Sequence, residues 1–203
     1  IIVTIGLFLF IASKVKIGTS TSISQKIKPQ KIKIFKLWLG YFLGVFAGLM
    51  TIAHAVPLIS SFGGSAVIAI TAISLMSFGS GIASVCTGWL VDRFGCKRPL
   101  VVILIINSFA ILGLSIMTSI DLLFIMLILI ASLYGAIIAI YPTLINHLVG
   151  QDLSALVYGR VFTAWGAAGL ASPALAGWFF EINNNYDIAI LFILTMSVIA
   201  IFI

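Results

Sequence analysis

Residues 37–91 read LWLGYFLGVFAGLMTIAHAVPLISSFGGSAVIAITAISLMSFGSGIASVCTGWLV, with no Lys, Arg, Asp or Glu anywhere in the stretch. Drawn out as one helix it would be roughly 80 Å long, against a hydrocarbon core of about 30 Å. A stretch that long and that uncharged must fold back at least once. The break is written at Pro57 and in the polar run Ser60-Ser61-Phe62-Gly63-Gly64-Ser65.

The rest of the chain repeats the pattern. Apolar residues make up 62% of its 203 positions and charged residues 8%, and the mean hydropathy is +1.29. Soluble domains run nearer half apolar and a quarter charged, and a chain of this length has too little interior to hide the excess. Lipid removes the difficulty. Six apolar runs, uncharged but for Arg160 at the start of the fifth, are long enough to be spans: 37–60, 66–91, 99–117, 122–148, 158–180 and 188–203. A shorter run, 1–13, reads as the end of a truncated transmembrane helix, and 14–36 as a basic linker. The runs do not alternate strictly and are too long for barrel strands, which excludes a transmembrane β-barrel.

Charge gives the orientation. Lys14, Lys16, Lys26, Lys28, Lys31, Lys33 and Lys36 precede the first full span. Asp92, Arg93, Lys97 and Arg98 follow the second, and a loop from Asp152 to Arg160 follows the fourth. The intervening turns hold only Asp121, Glu181 and Asp187. All 11 Lys and Arg therefore fall on one side, which the positive-inside rule makes cytoplasmic in a multi-pass protein of the cytoplasmic (plasma) membrane. The net charge of +6 thus belongs to membrane topology. Segment 14–36 has no aromatic platform for stacking nucleic-acid bases. It reads as a solvated linker, compatible with contact to anionic inner-leaflet lipid. Cys86 and Cys96 imply no disulfide framework.

The loop after the second full span is Gly88-Trp89-Leu90-Val91-Asp92-Arg93-Phe94-Gly95-Cys96-Lys97-Arg98-Pro99-Leu100. Gly88 permits close helix approach, Gly95 a tight turn at positive φ, and Asp92 can accept hydrogen bonds from cations or a helix N-terminus. This resembles the signature of the major facilitator superfamily, G-x-L-x-D-R-x-G-R-K-x-x-L, at Gly88, Leu90, Asp92, Arg93, Gly95, Lys97 and Leu100. Cys96 stands where a basic residue is usual. The resemblance implies that these residues form a cytoplasmic gate that breaks and reforms as helix bundles rock. Its single copy, after a basic linker, implies the C-terminal six-helix bundle of a twelve-helix, all-α integral membrane fold. It also implies that an N-terminal six-helix half is a required partner.

A narrower likeness lies in Tyr158-Gly159-Arg160-Val161-Phe162-Thr163-Ala164-Trp165-Gly166-Ala167-Ala168-Gly169, continuing through Ser172-Pro173-Ala174-Leu175-Ala176-Gly177. It resembles the eleventh span of the oxalate/formate antiporter group. That likeness implies a secondary active transporter working by alternating access on a small solute, an organic acid anion, with a proton or counter-anion as coupled species. Residues 66–91 and 161–180 contain no Lys or Arg, so the charge facing a carboxylate would have to come from the other half.

Within the spans, His54, Ser77, Tyr134, Tyr141 and Trp165 are the candidates for a substrate path, His54 being the strongly titratable one. Gly40, Gly44, Gly48, Gly166, Gly169 and Pro173 read as helix-packing positions. An enzyme would need paired acids, a metal cluster or an activated nucleophile within the spans, and the acids all lie in loops. No P-loop Gly-Lys-Ser/Thr occurs, so neither an ATP-driven pump nor a bound cofactor or metal is expected. The competing expectation is a transporter fragment without activity, or a structural membrane protein.

Overall fold

The computed structural model describes residues 34–116 and 119–203. The short apolar run 1–13 and most of the basic segment 14–36 lie outside the described residues. Seven helices follow in order: α1 Ile34–Ala53, α2 Ala55–Ser61, α3 Ala66–Phe94, α4 Lys97–Ile116, α5 Ile120–Val149, α6 Gln151–Asn183 and α7 Asp187–Ile201. Four of them, α1, α3, α4 and α5, are long and apolar enough to cross a membrane. α6, at 33 residues, is long enough but dilutes its apolar side chains with Gly, Ser, Thr and Pro. α7 is apolar but has 15 residues.

The expected run 37–60 is two helices rather than one. Pro57 has no N–H to offer the carbonyl of Ala53 and crowds it, so the rod breaks at His54. The backbone bonds His54 N–Met50 O (3.1 Å) and Leu58 N–His54 O (3.0 Å) persist on either side of the break. The expected loop 152–160 is helical, because its charges do not stop a helix and no Gly or Pro interrupts the run until Gly159. The stop is Gly150, at φ +80°, whose N–H closes on Asn146 O at 2.9 Å. Likewise Asp92 and Arg93 ride on the last turn of α3 and Lys97 and Arg98 on the first turn of α4. Only Gly95 and Cys96 make the corner. Gly95 takes the positive φ expected of it, +76°. Ser65 and Ser119 cap α3 and α5 by accepting from Ile68 N and Leu122 N.

α1 and α5 form the centre. α3 packs chiefly on α5, α6 chiefly on α1, and α4 and α7 pack on each other, α4 also on α5 and α7 also on α1. Small residues set these approaches. A Cβ on Gly48 would lie 2.5 Å from the Tyr134 Cβ, one on Gly44 3.5 Å from Ile137, and one on Gly40 3.1 Å from the Tyr141 hydroxyl. A Cβ on Gly135 would collide with Ser80, and one on Gly79 with Ser132. Ser84 adds a hydrogen bond to Gly135 O at 3.0 Å. At the α4–α7 contact, Asn107 Nδ2 donates to Ser197 Oγ at 3.0 Å and Ser108 Oγ lies 2.9 Å from the same oxygen. Asn107 and Ser197 are both buried.

Candidate functional site

Aromatic residues recur on single helix faces. On α6, Tyr158, Phe162 and Trp165 stand at i, i+4 and i+7; on α5, Tyr134 and Tyr141 are seven apart. Both stripes meet α1. Tyr41 of α1 packs against Tyr141, ring centroids 4.3 Å apart, and against Phe162 at 6.3 Å. Phe162 stacks on Trp165 at 5.3 Å and touches Tyr158 at 5.4 Å. Trp165 Nε1 donates to the Tyr134 hydroxyl at 2.7 Å, and the Tyr134 ring lies against Gly48. Three of the five proposed path residues, Tyr134, Tyr141 and Trp165, thus belong to one seam between α1, α5 and α6.

The seam is polar along its length. Near the start of α1, Trp38 Nε1 donates to Thr163 Oγ1 at 2.9 Å. Near the end of α1, the His54 ring faces the Pro173 carbonyl of α6 and the Tyr186 hydroxyl. Between these, the Tyr41 hydroxyl is fully buried, near the Tyr158 hydroxyl but without a close hydrogen bond, and that of Ser172 on α6 is buried with no partner among the described residues. A buried hydroxyl left unpaired costs about 1–3 kcal/mol, so a water or a ligand oxygen would be stabilised at either. The seam offers neutral O–H and N–H groups and no charge.

Ser77 stands apart. It is exposed on α3 with its hydroxyl turned back to Ile73 O at 2.9 Å. It lines a shallow groove with Phe78, Gly81, Ile82, Val85 and Cys86, of about 440 Å³. Tyr41, Tyr158, Phe162, Thr163 and Tyr186 were not among the expected path residues. The i, i+4, i+7 spacing on α6 is the signal that identifies two of them.

The glycines separate into two sets. Gly40, Gly44 and Gly48 are packed against neighbours. Gly166 and Gly169, expected to pack likewise, meet nothing within 4 Å, and the same holds for Gly159 and Gly177 on α6 and for Gly81 and Gly88 on α3. These small-residue faces of α3 and α6 are open.

At the α3–α4 corner, Arg93 extends over Trp89 at 5.6 Å and Phe94 at 5.7 Å. Asp92, Arg93, Gly95 and Lys97 are all exposed, Leu90 half-buried, and Gly88 exposed. Cys96 is buried there, and burial pushes its thiol above the ordinary range. Among the described residues, no three His, Cys, Asp or Glu side chains come together as a metal site.

Residues 37–203 match the family model of the Major Facilitator Superfamily, which takes in every helix from the second turn of α1 onward. No curated protein matches the chain significantly.

Proposed function

The chain belongs to the Major Facilitator Superfamily, and on that premise we propose that it is one bundle of a secondary active carrier that works by alternating access. Members of the family are membrane transporters rather than enzymes, and the apolar helices make this a multi-pass integral membrane protein. The observation that carries the finer reading is the division of the glycines. Those facing α1 and α5 are filled, while Gly81 and Gly88 on α3 and Gly159, Gly166, Gly169 and Gly177 on α6 are open. Smooth, unfilled faces on two flanking helices suit a second six-helix bundle that slides as it closes. The basic corners would lie on the cytoplasmic side of the inner membrane, where Asp92, Arg93 and Lys97 would form the gate.

The solute reading is a small organic acid anion, exchanged for a counter-anion or moved with a proton. Hydroxyl donors at Tyr134, Tyr141 and Tyr41 suit carboxylate oxygens, with the Trp165 indole, already donating to the Tyr134 oxygen, leaving that hydroxyl's own hydrogen to point outward. The neutralising cation would come from the partner bundle, since the seam has none.

The test is co-expression with a six-helix bundle carrying its own signature loop, followed by reconstitution and uptake of labelled mono- and dicarboxylates. Counterflow that accelerates with internal carboxylate supports the antiport reading. Stable pairing with no uptake of any carboxylate would move the solute class elsewhere. A failure to pair would favour a fragment without activity.

A further inference from the structure

His54 sits where a membrane-length rod is broken. Pro57 deprives the Ala53 carbonyl of its helical partner, so α1 stops at Ala53 and α2 starts at Ala55. Such a joint bends unless something outside the helix holds it. Here the His54 ring is held on both edges. Nε2 lies 3.2 Å from the Pro173 carbonyl of α6, and Nδ1 lies 3.2 Å from the Tyr186 hydroxyl, just before α7. A carbonyl oxygen only accepts, so Nε2 carries the hydrogen. With the hydrogen on Nε2, Nδ1 is the nitrogen left to accept from the Tyr186 O–H.

Tyr186 is fixed in turn. Its ring meets His54 edge-on at 5.5 Å and stacks on Phe180 at 4.7 Å, and it is buried. Burial raises its hydroxyl above the ordinary value, which keeps the O–H a donor. One imidazole therefore spans three pieces of chain: the α1–α2 joint, the middle of α6 and the α6–α7 turn.

We propose that His54 and Tyr186 are positioning residues of the carrier cycle, forming a latch that ties the α1–α2 joint to α6 and to the start of α7. The latch sits at the bundle end away from the basic corners. With it closed, α2 is held against the body of the bundle; with it open, the Pro57 joint is free to swing α2. His54 takes no substrate in this arrangement, because both ring nitrogens are already occupied by the protein. The purpose of the latch rests on the carrier reading, but its existence does not.

Hydrogen–deuterium exchange of the full chain in lipid nanodiscs reads the latch directly, whether or not the chain transports. Three variants separate bonding from packing. Tyr186→Phe removes one oxygen and keeps the ring. His54→Phe keeps a ring and loses both bonds. His54→Gln offers an amide N–H to Pro173 O and an amide oxygen to Tyr186. Losing one net hydrogen bond is expected to speed exchange in Ala55–Ser61 and at 184–187 by about five-fold, with α4 and α5 unchanged. The Gln variant is expected to stay within two-fold of the parent, by about the accuracy of such bonds. The double variant His54→Phe/Tyr186→Phe should exchange no faster than His54→Phe alone. Unchanged exchange in both Phe variants would overturn the proposal. So would equal acceleration in the Gln and Phe variants, which would make the site a packing contact. If His54→Phe does not fold, Tyr186→Phe alone decides.

Discussion

Trp165 of α6 donates its indole N–H to the hydroxyl of Tyr134 on α5 at 2.7 Å, and the Tyr134 ring rests on Gly48 of α1. One tyrosine thereby ties its own helix to two others, to α1 by contact and to α6 by a hydrogen bond. The position of Tyr134 depends on the absence of a side chain at 48.

Gly48→Ala is therefore expected to destabilise the bundle by about 1–3 kcal/mol, the usual cost of overpacking, since the added Cβ would meet Tyr134 atoms at 2.5 to 2.7 Å. Gly166→Ala, with nothing within 4 Å, should stay within about 0.5 kcal/mol in the same chain. Unfolding in mixed micelles measures both. If a second bundle docks on α6, Gly166→Ala should lose stability only in the assembled pair.

Two Tyr→Phe changes should differ in sign. Tyr134→Phe leaves the Trp165 N–H without its acceptor and is expected to cost about 0.6 kcal/mol, up to about 1.7, as interhelical bonds in membranes do. Tyr41→Phe removes a buried hydroxyl that lies near the Tyr158 hydroxyl without forming a close hydrogen bond. It should be neutral or stabilising by up to about 1 kcal/mol. A loss on Tyr41→Phe equal to that on Tyr134→Phe would mean that the Tyr158 hydroxyl or a water holds the Tyr41 hydroxyl.

The Asn107–Ser197–Ser108 contact is the buried polar tie between α4 and α7. Asn107→Leu is expected to cost about 0.6–1.7 kcal/mol and to increase proteolysis near the end of α7. Ser115→Ala, whose hydroxyl only caps its own helix at Leu112 O, should change neither.

Cys96 is buried with its thiol pushed up, while Cys86 is exposed on α3. A raised pKa leaves less thiolate at neutral pH, so maleimide should modify Cys96 slowly at pH 7. The rate should keep climbing as pH passes the ordinary thiol value of about 8.5. Mass spectrometry of detergent-solubilised protein over pH 7–10 checks this. A Cys96 rate equal to that of a free thiol at pH 7 would show that the α3–α4 corner opens.

Charge-free length and the helix bounds agree at some elements and part at others. The run 122–148 is the helix Ile120–Val149, because Ser119 and Gly150 punctuate it chemically as well as by hydropathy. The run 158–180 is too short by a turn or more at its start, since membrane hydropathy ends at the headgroups while the helix Gln151–Asn183 does not. The break at His54 was legible only as Pro57. A proline three residues downstream of a histidine says that a rod bends, not what holds the bend. The site is less legible still. Tyr134 and Trp165 were each visible as donors within a span, but their bond joins residues 31 apart, and that of His54 to Tyr186 joins residues 132 apart. Tyr186, at the edge of a span, looks like an interfacial anchor until its neighbours are known. Gly166 and Gly40 carry the same local pattern, and only the surroundings separate a filled notch from an open one.

The corner between α3 and α4 has a bearing on biogenesis. Two residues, Gly95 and Cys96, join helices of 29 and 20 residues that touch each other little beyond that corner, while α5 packs extensively on α3 and also on α4. As the chain emerges from the insertion machinery, these two arms enter lipid as a hairpin with almost nothing to grip. They draw together only when the third arm, with Gly135 and Ser132 facing Ser80 and Gly79, arrives to fill the wedge.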